Sequence, residues 1–146
     1  MKELEYEKEL MEKFPDLHSK DESGKVVAPS CGTSCPVGWQ PLVTLLCKEI
    51  DSYIKCPRYQ KNPETNELET SYPKPLTIVQ IKEKFGGLRF YADGGDAVVC
   101  GMIRFAEAVS FTVCQNSGNP GSTKTIGGWL VTLSEEEYEK EKNRFQ

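Results

Sequence analysis

Two short segments of alternating polarity, residues 78–85 and 88–93, flank the pair Gly86-Gly87. A two-residue Gly-Gly loop favours turns whose twist matches that of paired strands, so the sequence predicts an antiparallel hairpin in which Phe85 pairs with Leu88. Because side chains alternate between the two sides of a strand, this register also predicts one buried side. The predicted buried side consists of Ile81, Glu83, Phe85, Leu88, Phe90 and Ala92.

The opposite side of the predicted hairpin is polar and positively charged. Its members, which we call the strand face, are Gln80, Lys82, Lys84, Arg89 and Tyr91. Cationic and aromatic side chains on one rigid element can hold an anionic group by charge-assisted hydrogen bonds and ring stacking. The strand face is therefore a candidate binding surface, and a merely solvated sheet face is the alternative.

Helical spacing of apolar residues predicts a helix before Pro15, a second between Pro41 and Pro57, and a third after Asp96, which we expect to be its N-cap. The predicted buried side of the third helix consists of Val98, Val99, Met102, Ile103, Ala106 and Val109. Pro, Gly and polar residues predict connecting loops over 16–37 and 57–75. Residues 111–114 and 128–133 are rich in strand-forming residues and predict two short strands.

A capping box, Ser134 followed three residues later by Glu137, predicts the start of a C-terminal helix. The order of these elements indicates a single α+β domain with a central antiparallel hairpin packed by helices. The predicted divisions are an N-terminal helix over 1–15, a loop over 16–37, a core over 38–133 and a C-terminal helix over 134–146.

Length and charge restrict the class of protein. A chain of 146 residues has the size of one ordinary domain, and its net charge of −4 argues against nonspecific nucleic-acid binding, which needs concentrated Lys and Arg. No apolar run reaches the length of a membrane span, and the charged N-terminus lacks the apolar segment of a signal peptide. We expect a soluble intracellular protein whose six cysteines are reduced.

These features together resemble an uncharacterised family of small proteins encoded by bacteriophages and prophages. The longest matching stretch is VQIKEKFGGLRFY over 79–91, and the resemblance runs from about Phe14 to Glu137. The other matching positions are Phe14-Pro15, Gly38-Trp39, Asp96, Ala106-Glu107, Ser110, Cys114, Gly118, Pro120-Gly121, Gly127-Gly128-Trp129 and Thr132-Leu133. The resemblance implies an accessory protein that acts in the cytoplasm of the bacterial host.

The resemblance also implies a zinc-ribbon-like C-terminal hairpin, in which Cys-x-x-Cys, a Gly-rich loop and Trp precede Cys-x-x-His or Cys-x-x-Cys. The aligned positions here are Cys114, Ser117, Ser134 and Glu137. Only one usual ligand remains and a protonated hydroxyl is a poor zinc ligand, so we expect a degenerate site with no bound zinc and no other cofactor. A substitute metal site that uses Cys31, Cys35 or Cys100 is the alternative.

Catalytic interpretations have less support. A Cys–His nucleophile pair would need His18, the only histidine, which we interpret as a surface residue. Glu83 falls on the predicted buried side, where a carboxylate could act as an acid or base, or could simply reach water or a partner at the sheet edge.

The leading hypothesis is therefore a small non-enzymatic protein that binds a host or phage protein, with a role against a host defence as one form of that function. We expect the strand face and either Trp39 or Trp129 to provide the contacts, because aromatic and Arg side chains dominate interface energies. The alternatives are a binder that sequesters an anionic, nucleotide-like small molecule, and an enzyme that uses Glu83 as acid or base.

Overall fold

The structure is a computed structural model that describes residues 2–144. Its regular elements are α1 (Glu3–Lys13), α2 (Gln40–Lys55), β1 (Arg58–Lys61), β2 (Leu68–Ser71), β3 (Leu76–Lys84), β4 (Gly87–Gly94), α3 (Ala97–Ser110), β5 (Ser122–Ile126), β6 (Trp129–Leu133) and α4 (Glu135–Arg144). Each strand pairs only with its sequence neighbour, in three antiparallel two-stranded sheets within the described residues. The predicted α+β class is confirmed.

The predicted helix caps are partly confirmed. Asp96 caps α3, since its Oδ1 accepts hydrogen bonds from the backbone amides of Val98 and Val99 at 3.0 and 3.1 Å. Ser134 precedes α4, and its Oγ accepts a 3.2 Å hydrogen bond from the amide of Glu137. The predicted terminal helices also included Met1, Phe145 and Gln146, which lie outside the described residues.

The β3–β4 hairpin turns one residue earlier than the sequence predicted. Lys84 pairs with Gly87, so Phe85 and Gly86 are the turn residues, with φ of 54° and 80°. Positive φ at both central positions is the pattern of a type I′ turn. The predicted Phe85–Leu88 pair and the burial of Phe85 are therefore wrong. The cause lies at Gly87, where a Cβ would be 2.3 Å from the Phe111 ring, so this glycine is needed inside the strand under that ring.

The predicted sides of the hairpin are nevertheless largely confirmed. Ile81 pairs with Phe90 and Glu83 with Leu88, which keeps these four residues on one side. Ile81, Leu88 and Phe90 are buried in the main core. A register shift between Ile78 and Gln80 adds one residue to β3 and lets Ile78 face the core together with Ile81.

Both edges of the hairpin are covered. On the β3 edge, the amide of Ser34 donates to the carbonyl of Ile81 at 2.8 Å. On the β4 edge, the amide of Phe90 donates to Oε2 of Glu107 on α3 at 3.1 Å. Because unpaired strand edges invite pairing with other chains, this covering leaves the hairpin's far side and tip as its free surfaces.

The main core lies between the hairpin and helices α1, α2 and α3. Its largest fully buried side chains include Tyr6, Leu10, Leu17, Trp39, Ile50, Ile78, Ile81 and Leu88. A second, smaller apolar cluster joins Cys114, Ile126 and Leu133 under the β5–β6 hairpin. The two clusters meet where Trp39 Nε1 donates to the carbonyl of Val113 at 2.8 Å.

Two predicted segments have a different structure. Residues 57–75, predicted as a loop, contain the β1–β2 hairpin, whose strands are fully exposed and carry no buried side to reveal them in the sequence. Residues 111–114, predicted as a strand, form a turn at Phe111 and Thr112 and a single antiparallel β-bridge between Val113 and Pro120, and the partner of β6 is β5. The amides of Phe111 and Thr112 donate to the carbonyls of Ala108 and Val109 at the end of α3. These two amides are therefore not available for hydrogen bonds to a neighbouring strand.

Two side chains also differ from expectation. His18 is buried, not on the surface, because its Nδ1 lies 2.9 Å from the carbonyl oxygen of Phe14. Val98, predicted to be on the buried side of α3, is exposed, since the side that holds Val99, Ala106 and Ser110 faces the core, with Met102 and Ile103 partly buried against it.

Candidate functional site

The tips of two hairpins lie side by side and expose aromatic side chains. Phe85 at the β3–β4 turn is 65% exposed, and Trp129 at the start of β6 is 75% exposed. With Lys84 and Leu130 they line a hollow of about 360 Å³, and we call these four residues the tip surface. Clustered exposed apolar side chains mark interaction sites more often than single ones do.

The two tips are held together by polar contacts. Thr132 Oγ1 on β6 donates to the carbonyl of Gly86 at 2.5 Å. A Cβ on Gly86 would lie 3.3 Å from Cγ2 of Thr123 and 3.4 Å from the Thr132 hydroxyl, so the turn rests directly on the β5–β6 hairpin. This contact fixes the position of Phe85 relative to Trp129.

The backbone at Phe85 is strained. A non-glycine residue in the left-handed region costs roughly 1–2 kcal/mol, and Asn or Gly usually takes this turn position. The Phe85 ring gains little burial in return, and Lys84 Nζ lies over it at 5.5 Å from the ring centroid. Strain of this kind concentrates at functional sites, where another requirement retains the unfavourable residue.

The strand face carries cations without counter-charges. Lys82 and Arg89 are directly opposite each other across the hairpin, and Lys84 follows on the same side. Within residues 2–144, none of the three lies within 4.0 Å of a carboxylate oxygen. Like charges directly opposite each other destabilise a sheet. An anionic partner would remove that penalty.

The other two strand-face residues are engaged elsewhere. Gln80 Nε2 donates to the carbonyl of Cys31 at 3.2 Å and so helps to fix the 31–34 segment on the β3 edge. Tyr91 lines a separate hollow of about 320 Å³ that also includes Val99 and Ile103 of α3. Of the predicted site residues, the structure therefore brings Lys84 and Trp129 to one hollow and leaves Gln80, Lys82, Arg89 and Tyr91 outside its lining. Trp39 is fully buried, so the expectation that it could provide a contact is wrong.

Glu83 has a structural partner. Its Oε1 accepts a 2.7 Å hydrogen bond from the amide of Gly86 and so closes the turn. This contact accounts for a carboxylate on this side of the hairpin, and Glu83 also lines the hollow beside Phe85 and Trp129.

The four positions aligned with zinc ligands lie together at the base of β6. Cys114 is buried, and its Sγ accepts a 3.4 Å hydrogen bond from the amide of Ser117. Ser134 caps Glu137 as described above, and Glu137 Oε2 accepts a 3.3 Å bond from Asn116 Nδ2. The Glu137 carboxylate thus accepts from the side-chain amide of Asn116. In a complete capping box it would instead accept from the backbone amide of Ser134.

Cys114 differs electrostatically from the other buried thiols. Burial opposes its ionisation, but hydrogen bonds from Ser117, Ser134 and Asn116 outweigh burial and lower the pKa of the thiol below its ordinary value. In contrast, burial raises the pKa of Cys35 to about 12. The backbone around Cys114 therefore favours a negatively charged sulfur.

The donors available for a metal are few. Among residues 2–144, no three His, Cys, Asp or Glu side chains come close enough together to hold an ion. Cys31 and Cys100 are exposed, whereas Cys35 is buried. The expected absence of zinc stays a prediction, and the substitute site at these cysteines has no structural support.

Sequence reasoning missed Phe85 and Leu130 as surface residues. Phe85 was assigned to the core because its exposure depends on the packing of Gly87 under Phe111, which no local pattern indicates.

Within the described residues, no helix has the length and apolarity to cross a membrane. Comparisons with protein-family models, curated proteins and solved structures found no match to this chain.

Proposed function

We propose that this chain is a non-enzymatic protein-binding module of a bacteriophage or prophage, which engages a host or phage protein in the bacterial cytoplasm. Its contacts are the tip surface together with Lys82 and Arg89. The observation that carries the proposal is Phe85, a strained and exposed aromatic residue fixed beside Trp129. Blunting a host defence is one role that such binding would serve.

The chemistry of this surface favours an acidic partner with an apolar anchor. The hollow between Phe85 and Trp129 accepts an apolar side chain, and large aromatic residues of this kind provide most of the binding energy at interfaces. Lys82, Lys84 and Arg89 then attract acidic groups and accelerate association at low salt.

The proposal is tested by differential capture. The tagged full chain and a Phe85→Ser/Trp129→Ser variant are incubated with lysates of infected and uninfected bacteria, and bound proteins are identified by mass spectrometry. A Tyr59→Ser/Tyr72→Ser variant is the matched control, because it also removes two exposed aromatic residues, outside the tip surface.

We expect a protein that is captured by the natural chain and by the control but lost with the tip variant. Its binding should weaken as salt increases, and this dependence should flatten in Lys84→Gln/Arg89→Gln. Equal capture by all three chains would contradict a role for the tip surface.

A second candidate is the sequestration of an anionic, nucleotide-like small molecule. It is favoured by the cluster of unpaired cations beside an aromatic ring, since phosphates bind to such cations and bases stack on rings. Calorimetric titration with a nucleoside diphosphate at low salt tests it. Saturable binding that Lys84→Gln/Arg89→Gln weakens would support this candidate, and the absence of heat from binding would rule out that ligand class.

A further inference from the structure

Helix α3 has two apolar sides, but the core covers only one. Arg104 and Glu107 are its only charged residues, yet just three of its 14 residues are buried. Because successive residues are rotated by about 100° around a helix, most of the other apolar residues form one continuous strip, of which Met102 also packs partly against the core. This strip consists of Ala97, Val98, Gly101, Met102, Phe105, Ala108 and Val109. A helix that is apolar almost all round is normally covered on every side.

Helix α2 continues the strip. A hollow of about 210 Å³ lies between the two helices, lined by Leu42, Leu45, Leu46, Glu49, Met102, Phe105 and Ala106. Phe105 is 73% exposed and Leu45 is 55% exposed. We call Leu42, Leu45, Val98, Gly101, Met102 and Phe105 the α2–α3 face. Only Glu49 among the lining residues is charged.

We infer that the α2–α3 face is a two-fold interface between two copies of this chain. A two-fold interface must be complementary to itself, because the same surface is used on both sides. Phe105 protrudes next to the hollow of its own surface, so the ring of each copy can enter the hollow of the other. A projection and a recess on one face are what such an arrangement requires.

Charges at the border of the face also match between copies. Arg104 borders the strip on α3, and Glu49 lines the hollow on the α2 side. Within residues 2–144, neither has an opposite charge within 4.0 Å. Two copies can therefore pair Arg104 of each with Glu49 of the other without breaking an existing ion pair.

Gly101 on the α2–α3 face also supports an interface between two copies. A Cβ at this position would meet nothing within 4 Å, so the fold of one copy does not require glycine here. An exposed glycine inside a helix costs roughly 1 kcal/mol relative to alanine. The missing side chain instead allows a second helix to approach α3 closely. The tip surface uses other residues, so a dimer would carry two of them and bind a multivalent partner more tightly.

Sedimentation of the full chain under reducing conditions tests the inference, since Cys31, Cys56 and Cys100 are exposed and could form disulfides. We expect the mass to rise with concentration from 16.4 kDa towards twice that value. Phe105→Gln should weaken dimerisation by about tenfold or more, as loss of a central aromatic contact does. Tyr59→Gln, which replaces another exposed aromatic residue on β1, should leave dimerisation unchanged.

Further variants at Gly101, Arg104 and Glu49 separate association from folding. Gly101→Gln should raise the melting temperature of the monomer through its better helix propensity, yet weaken the dimer at least about tenfold by blocking close approach. Arg104→Glu and Glu49→Arg should each weaken the dimer, and the double variant should restore it. A chain that stays monomeric up to about 1 mM, or a dimer unaffected by Phe105→Gln, would overturn the inference.

Discussion

The main core and the β5–β6 region are held together in different ways. The main core joins α1, α2, α3 and the β3–β4 hairpin through a large set of buried apolar side chains. The buried apolar cluster of the β5–β6 region consists only of Cys114, Ile126 and Leu133. This region is attached to the main core by hydrogen bonds, such as those from Thr132 Oγ1 to the Gly86 carbonyl and from the Gly38 amide to the Gln115 carbonyl.

This difference relates stability to the proposed function. A region with so few buried apolar groups cannot offset the conformational entropy of its own ordering, so it depends on the main core beneath it. The tip surface spans both regions, with Phe85 on the core hairpin and Trp129 on the dependent one. A change that releases the β5–β6 region should therefore impair binding while most of the fold persists.

The largest expected effect comes from the main core. Phe90→Ala should lower the free energy of unfolding by about 3–5 kcal/mol, because it removes buried ring contacts and leaves a cavity. Chemical denaturation of the natural chain and the variant measures this loss. A change below about 1 kcal/mol would place Phe90 outside the stabilising core.

A smaller and more local effect is expected at Gly38. A Cβ here would lie 2.0 Å from the carbonyl oxygen of Cys114 and 2.7 Å from the amide of Gly118, and neither backbone atom can move freely. Gly38→Ala should cost about 1–3 kcal/mol through overpacking between the two regions. Spectra of the variant should change mainly over residues 113–144. Gly24→Ala, at a position with open space but a positive φ, is the control for backbone strain alone.

The two regions should also respond differently to pH. The hydrogen-bonded Cys114 has a lowered pKa, so its stabilising contribution is complete above the unfolded pKa of about 8.5 and is lost as pH falls through the folded value. Buried Cys35 and Cys47 have raised pKa values and act in the opposite direction at high pH. The free energy of unfolding of Cys114→Ala is subtracted from that of the natural chain at each pH, so the contributions of Cys35 and Cys47 cancel. The difference should be larger near pH 9.5 than near pH 6, and a difference independent of pH would refute the prediction.

The smallest expected effect is a gain in stability at the β3–β4 turn. Phe85→Asn should stabilise the chain by about 1 kcal/mol, because Asn-Gly suits a type I′ turn and Asn tolerates positive φ. Phe85→Ala should bring no such gain, since alanine is strained in the same conformation. Thermal unfolding distinguishes the two variants, and both should lose the partner that the tip surface captures. If Phe85→Asn is less stable than the natural chain, Phe85 has a packing role that its exposure does not reveal.

The sequence predicted what depends on local pattern. Helical spacing located α2 and α3, and Asp96 marked the start of α3, because a cap and an apolar stripe are encoded within a few residues. The alternation of β3 and β4 predicted their buried sides. The β1–β2 hairpin was missed since exposed strands carry no such alternation.

The features that the sequence did not predict depend on contacts between residues distant in sequence. The packing of Phe111 against Gly87 sets the register of the β3–β4 hairpin. This register places Phe85 in the turn, where its side chain is exposed at the tip. The sequence did not distinguish Trp129 from the buried Trp39 as the contact residue, and the position of Trp129 beside Phe85 results from the docking of Thr132 on Gly86. Neither contact leaves a pattern in the sequence.

Native-state hydrogen exchange tests the contrast between the two regions most directly. The account predicts that amides of β5 and β6 exchange through a local opening of lower free energy than those of β3 and β4, and that Gly38→Ala widens this gap. Equal protection of both hairpins in the natural chain and the variant would mean that they open as one unit and would contradict the account.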